Sequence, residues 1–326
     1  MNKVKHIEMT KLDLTDYVES LKYTSFTSRE IYNACQLYKQ MLEDPDCSII
    51  LTIAGSTQAA GCMQIYRDLI KNNMVDIVVA TGASIIDMDL YEALGFNHYI
   101  GDAKADDNIL REKKIDRIYD TYINELDLQK VDAYVRDIAT EFGQYVPQSS
   151  RQFLNLIGKN TPNSFISECS KAGVPIFSPA LNDSAAGFGL LMHKVNNSRH
   201  VIIDSIQDLH EFVKVKTKAK DTGLFMVGGG VPKNFAQDVV VAAECVGHDV
   251  PMHKYAVQLT VADVRDGACS SSTLDEANSW GKVSNEHTQM VYGEATSTLP
   301  IIANYAYKNA NISSREHKRY NELFRN

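Results

Sequence analysis

From about residue 48 onward, short β-branched apolar runs alternate with longer stretches whose apolar positions recur at helical spacing. The runs at 48–54 (SIILTIA), 75–81 (VDIVVAT), 174–178, 200–203, 224–227, 255–261 (YAVQLTV) and 289–292 read as strands. Several are nearly all apolar, the pattern of parallel strands covered on both faces. Between them, 57–71, 185–194, 206–216, 232–246 and 274–280 read as amphipathic helices. The alternation predicts an α/β fold with a doubly wound, mostly parallel sheet. Residues 1–45 read as an N-terminal helical arm packed on that core, and the charged stretch 108–160 as a mostly helical insertion at one edge. No linker, low-complexity tract or internal repeat interrupts the pattern. One domain over 1–326, with its core at 46–326, is the expectation.

In such a sheet, ligands bind beyond the carboxyl ends of the strands. The turn after the first strand holds Gly55, Ser56, Thr57, Gln58 and Ala59. After the second come Thr81, Gly82 and Ala83, then Asp87 and Asp89; Asp183 follows the third. Gly228, Gly229 and Gly230 end the fifth, and Asp263, Asp266 and Gly267 follow the sixth. Small residues there let backbone N–H groups approach a pyrophosphate closely. Pro232 suits the first turn of the next helix and Gly230 a tight turn before it. Tight packing alone also selects glycine at such turns, and a strict GxGxxG is absent. Asp183 and Asp266 fit equally as caps or Asx-turn residues and as acids that hold ribose hydroxyls. Four such turns on one sheet edge favour a nucleotide site on a Rossmann-like sheet.

Composition narrows this reading without redirecting it. The 326 residues are 44% hydrophobic and 23% charged, which excludes a disordered chain or a disulfide scaffold. Thirty-three Lys and Arg stand against 41 Asp and Glu, a formal charge of −8 with no basic run. That balance disfavours nucleic acid as a partner and suits small cations such as polyamines. No apolar run has the length of a transmembrane helix, and the N-terminus lacks a signal-peptide core. None of the six cysteines forms a CxxC pair. A cytoplasmic protein with reduced thiols, no metal and no membrane partner is expected.

The run Asp275–Lys282 (DEANSWGK) carries the strongest chemical signal. It contains the single tryptophan, Trp280, two residues before Lys282. A tryptophan is more often core and a lysine more often a solvated charge. Here the lysine follows a glycine and an indole, an apolar setting that favours the free amine needed for imine chemistry. Glu276 lies four residues before Trp280, so a helix places both on one face. A carboxylate beside an aromatic face makes a pocket for an alkyl-ammonium.

DEANSWGK resembles the DEAVSWGK signature of deoxyhypusine synthases, with Asn278 in place of an aliphatic residue. The resemblance continues in register. FSPALNDSAAG (177–187) is similar to the family's FSPALTDGSLG, GGGVPK (228–233) to its GGGVVK or GGGVPK, and VYGEA (291–295) to its VYADA. Residues from roughly 48 to 310 can be aligned this way. The resemblance implies an NAD-dependent transferase acting on spermidine. NAD oxidises the donor amine to an imine, and Lys282 takes up the four-carbon aminobutyl unit, releasing 1,3-diaminopropane. The unit then passes to an acceptor amine, and NADH reduces the new imine. It also implies a homotetramer with sites at a dimer interface.

Carried over by position, the cofactor residues are Gly55, Ser56, Thr57, Gln58, Ala59, Thr81, Gly82, Ala83, Asp87, Asp183, Gly229, Val261, Ala262, Glu294 and Ala295. Asp87 stands where the family has glutamate, and Glu294 where it has aspartate. The donor amine falls to Ile86, Asp87, Phe188, Asn234, Gly267, Ala268, Cys269, Glu276, Trp280 and Lys282. Phe188 and Cys269 replace acids, and Asn234 replaces a histidine. Losing two carboxylates and an imidazole from a polycation pocket is a large electrostatic change, because a buried ammonium requires a paired charge. The expected acceptor is therefore a small diamine, giving a homospermidine-type product. The alternatives are a deoxyhypusine synthase that modifies a lysine of a translation factor, and an NAD-binding homologue without transferase activity.

Overall fold

The computed structural model describes residues 1–142 and 147–324. An extended N-terminal segment leads into helices α1 (Thr15–Ser20) and α2 (Phe26–Glu43), then strand β1 (Cys47–Ile53). Next come α3 (Met63–Lys71), β2 (Ile77–Ala80), α4 (Tyr91–Ala93) and β3 (Tyr99–Ile100). The inserted stretch holds α5 (Asp107–Glu112), β4 (Ile115–Ile118), β5 (Thr121–Asn124), α6 (Glu125–Glu141), β6 (Pro147–Gln148) and α7 (Ser150–Asn160). After α8 (Phe165–Ala172) follow β7 (Ile176–Phe177), α9 (Ala185–Asn196), β8 (Ile202–Ile203) and α10 (Ser205–Lys218). The last units are β9 (Asp221–Val227), α11 (Gly230–Cys245), β10 (Tyr255–Thr260), α12 (Leu274–Ser279), β11 (Thr288–Tyr292) and α13 (Ala295–Asn309).

The central six-stranded sheet has the order β11-β10-β9-β1-β2-β7, and its pairings are parallel. Side chains alternate across it. Ile49, Leu51 and Ile53 of β1, with Phe225 and Val227 of β9, enter one apolar core; Ile50, Leu224 and Met226 enter the other. Burial on both faces is why these strands read as continuous apolar runs. On the first face α2 is anchored where Tyr38 stacks on Phe225, ring centroids 4.4 Å apart. The Tyr38 hydroxyl donates to the Met74 carbonyl at 2.9 Å. On the second face, Phe212 of α10 stacks between Phe177 and Phe235, with centroids 5.1 and 5.5 Å away.

Three expectations needed correction. Residues 200–203 do not join the central sheet; β8 pairs in parallel with β6 at the periphery. The stretch 108–160 is only partly helical, because β4 and β5 form an antiparallel hairpin with β3 alongside (residues 143–146 of that stretch lie outside the described residues). Its apolar and β-branched Ile115, Ile118, Thr121 and Ile123 favour strands. They are interleaved with Asp116, Arg117 and Asp120, whose charges mask the pattern. The helix expected at 57–71 begins as a π-turn over Gln58–Cys62, with Gly61 at φ 103°, before α3 starts at Met63. No helix among the described residues is long and apolar enough to cross a membrane.

Candidate active site

The strand order reverses between β1 and β9, and a cavity of about 1410 Å³ opens at the carboxyl ends there. Its walls include Gly55, Ser56, Thr57 and Ala59 after β1, Gly228 after β9, and Val261 and Ala262 after β10. Ala268, Glu294 and Ala295 complete that side. Gly55 has φ +86° with open space where a Cβ would project, so conformation rather than crowding selects glycine. Gly228 has φ +74°, and a Cβ on it would lie 3.0 Å from the Ala54 carbonyl oxygen. Ser84 braces the first turn by donating to the Gly55 carbonyl at 2.9 Å while its hydroxyl meets that of Thr81 at 2.8 Å. Gln258 of β10 donates to the carbonyls of Gly228 and Ser270, each at 3.0 Å. Glu294 caps α13 by accepting from the Thr296 N–H at 2.9 Å.

The opposite wall was not foreseen. Asn2, Lys3, Val4 and Lys5 line it together with Tyr119, Asp120 and Thr121 of the β4–β5 hairpin. The segment is pinned by backbone contacts: Lys3 forms an isolated β-bridge with Tyr99, Val4 N–H donates to the His98 carbonyl at 3.0 Å, and Ile7 N–H to the Gly61 carbonyl at 2.9 Å. His6 and His98 grip the Glu92 carboxylate at 2.7 and 2.6 Å. Burial alone would raise that carboxyl, but the two imidazole hydrogen bonds outweigh it and bring it down to about 2. Nothing in MNKVKH signals this placement, since only the tertiary pairing with residues 98–100 brings the lysines to the cavity.

Lys282 is presented by the end of a short helix. Thr273 and Glu276 form a capping box that starts α12. At the other end Gly281 takes φ +71°, its N–H donates to the Asn278 carbonyl at 2.9 Å, and the Lys282 N–H donates to the Ala277 carbonyl at 3.0 Å. This is the Schellman geometry, in which glycine supplies the left-handed residue. The glycine in SWGK is thus the helix stop that aims the lysine. Lys282 Nζ lies 5.2 Å from the Trp280 ring centroid. It also pairs with Asp238 Oδ1 at 2.6 Å, the lysine side chain being 14% exposed and the aspartate 40%. Asn234, one turn earlier on α11, donates to the other Asp238 oxygen at 2.9 Å.

This corrects the apolar surroundings expected for Lys282: Trp280 is 70% exposed, and the amine's nearest polar partner is a carboxylate. Glu276 is exposed, and its carboxylate accepts the Thr273 N–H. Lys233, buried at the start of α11, donates to the Ser272 carbonyl and hydroxyl. Burial pulls its amine down to about 8; Cys269 and Glu276 oppose the shift and Lys282 adds to it. Around Lys282, Asp238 and Lys233 are the residues that reading the sequence missed. Asp238 stands one helical turn after Asn234, a spacing that would have pointed to it.

The remaining candidates fall elsewhere. Gly229 does not line the cavity; a Cβ there would lie 2.4 Å from Ser270 Cα, so packing against the 263–270 loop demands glycine. Gly267 and Cys269 are exposed on that loop, and Asp266 accepts the Ala268 N–H at 3.1 Å in an Asx turn. Thr81, Gly82 and Ala83 follow β2, with Gly82 close against Ser184. Gln58 is buried behind the first turn with its amide nitrogen unpaired. Ile86 is wholly buried, and Asp183 is exposed just before α9. Asp87 accepts the Ala185 N–H at 2.7 Å. Burial pushes its carboxyl up to about 7 against that hydrogen bond, and the charges of Asp132 and Asp183 add to the rise. Phe188 is 61% exposed and lies with Leu191 and Val195 on the outer face of α9. The fold therefore gathers two groups, one at the β1–β9–β10 cavity and one at Lys282, and leaves Ile86, Asp87 and Phe188 on the β2 side.

The model of the family "Deoxyhypusine synthase" matches residues 16–306. A deoxyhypusine synthase-like protein of Coxiella burnetii is 52% identical, over 99% of this chain and 94% of its own length. One from Caulobacter vibrioides is 50% identical, over 98% of this chain and 90% of that protein. The crystal structure of an Entamoeba histolytica protein held to be a deoxyhypusine synthase superposes with TM-score 0.65 at 18% identity, covering 96% of this chain and 98% of that one. A cyanobacterial arginine dihydrolase reaches TM-score 0.51 at 12% identity, over 86% of this chain and 33% of its own. The fold is shared more widely than any one chemistry.

Proposed function

We propose, given that this chain belongs to the deoxyhypusine synthase family, that it is an NAD-dependent transferase that moves an aminobutyl group from a spermidine-like donor through an imine on Lys282 to a small diamine. The observation that carries this reading is the presentation of Lys282: a helix stop aims the amine beside Trp280, with a carboxylate in contact. The strand order, 3-2-1-4-5-6 when the central strands are numbered along the chain, supports a Rossmann-like sheet with NAD at its reversal point. The residues fit such a ligand. Left-handed glycines at 55 and 228 open the backbone toward the cavity, and Glu294 stands at its rim for ribose hydroxyls. Bound there, NAD would supply the hydride acceptor and donor. Lys282 would carry the four-carbon unit, with Trp280 and Glu276 beside the donor's cationic end.

The exposed apolar stripe Phe188, Leu191 and Val195 supports self-association, with the sites at a dimer interface. We take the assembly to be a homotetramer of single-domain, cytoplasmic subunits. Incubating the protein with NAD, spermidine and putrescine should release 1,3-diaminopropane and form homospermidine. Release that depends instead on an added translation-factor precursor identifies a deoxyhypusine synthase. NAD binding without 1,3-diaminopropane identifies a homologue that has lost transfer.

A further inference from the structure

We infer that Asp238 is the counter-ion of the iminium formed on Lys282, and so a catalytic residue that the DEANSWGK segment does not contain. The inference rests on the reading of Lys282 as the covalent nucleophile. Asn234 and Asp238 project from one face of α11, one turn apart. The two Asp238 oxygens have different partners: Oδ1 meets Lys282 Nζ at 2.6 Å, and Oδ2 accepts from the Asn234 amide at 2.9 Å. An amide nitrogen can only donate, so Asn234 fixes which oxygen is left for the lysine.

The neighbouring charges do not duplicate this contact. Glu276, on α12, is engaged by the Thr273 N–H. Lys233, on α11, is held by Ser272, and Cys269 lies exposed on the 263–270 loop. His253, which precedes β10, touches the lysine through the backbone, its N–H donating to the Lys282 carbonyl at 3.0 Å. Among the described residues, Asp238 is the carboxylate in contact with Lys282.

The chemistry balances around that contact. The free Lys282 amine adds to the carbon of the protonated donor imine, forming a C–N bond. One proton then moves from Nζ to the departing nitrogen, with Asp238 in place to relay it. The bond to that nitrogen breaks, its electron pair leaves with the neutral amine, and the iminium is now Lys282 Nζ=C. Nζ keeps one hydrogen and one positive charge, directed at Oδ1. In a partly dry site an ionised hydrogen-bond partner is about twice as effective as a neutral one.

The test uses butanal, which forms an imine without NAD or a polyamine, and cyanoborohydride, which reduces only the protonated imine. Adduct at Lys282 is measured by peptide mass from neutral to alkaline pH, on the full chain. Asp238→Asn should move the alkaline limb of trapping down by about 1–3 pH units, roughly 10- to 1000-fold less adduct at the upper end. Asp238→Glu should restore most of it, and Asn234→Ala should give a smaller shift in the same direction. A folded Asp238→Asn protein with an unmoved profile overturns the inference, as does a native protein that never labels at Lys282. A shifted profile in a protein that releases no 1,3-diaminopropane from spermidine leaves the inference standing and removes the transfer reading.

Discussion

The cavity and the Lys282 corner are built from different materials. The cavity owes its shape to backbone: left-handed glycines at 55 and 228, a hydroxyl brace from Ser84, and a capped helix at Glu294. The corner owes its character to side chains brought from separate helices, with Asp238 and Asn234 on α11 meeting Lys282 beyond α12. Backbone sites tolerate many side-chain changes and fail when the chain cannot take the required conformation. Side-chain sites keep their fold and fail when one group is lost. The two regions should therefore break in opposite ways.

The largest effect is expected at the corner. Lys282→Arg keeps the charge and cannot form an imine, so turnover should fall by on the order of 10³-fold or more while the thermal midpoint stays near native. Trapping with borohydride, donor and NAD should leave position 282 unlabelled; adduct there would remove it as the nucleophile. Gly229→Val probes the backbone side. Its side chain would enter space held by Ser270, costing about 1–3 kcal/mol in a denaturant titration and disturbing the 263–270 loop. An unchanged midpoint would show that the loop gives way freely.

Gly55→Ala separates conformation from contact, because nothing lies within 4 Å of the new Cβ and only the left-handed φ resists it. About 1–2 kcal/mol of stability should be lost, with weaker NADH binding. Affinity that falls without any loss of stability would assign Gly55 to ligand contact alone.

Asp87, outside both regions, ties the stability of the chain to pH. Its carboxyl is raised to about 7 by burial, opposed by the Ala185 N–H and reinforced by Asp132 and Asp183. Between the ordinary carboxylate range and about 7 the folded chain holds a proton that the unfolded chain has released, so this group's contribution to stability falls as pH rises through that window. Asp87→Asn should flatten that part of the stability profile; an unchanged slope assigns the pH dependence to other groups, such as Asp208, also raised to about 7 chiefly by burial.

The smallest effect is expected from Lys3→Gln and Lys5→Gln on the N-terminal wall. Each exposed charge is worth about 0.2–1 kcal/mol, so NADH affinity should drop by no more than roughly fivefold per site and converge with the native value at high salt. Affinity that is insensitive to both charge and salt would place the cofactor's phosphates away from this wall.

The sequence alone determined the features that repeat locally. Apolar runs located the strands now at 47–53, 77–80, 221–227 and 255–260, because both faces of a parallel sheet must be buried. The small-residue turns followed from the same run ends, whereas Gly281, read only as part of an apolar setting for Lys282, proved to be a helix stop once its left-handed φ was seen. Tertiary structure decided what depends on distant partners. The β4–β5 hairpin emerged from a charged stretch because β3 pairs with it, and 200–203 left the central sheet to pair with β6. Lys3 and Lys5 reached the cavity through pairing with residues 98–100. Gly229 proved to answer to Ser270, a residue far along the chain. The charge beside Lys282 was decided in the same way. Phe188, Asn234 and Cys269 suggested a pocket short of carboxylates, whereas the fold brings Asp238 to Lys282, because a side-chain contact between two helices is set by how they pack rather than by the sequence of either.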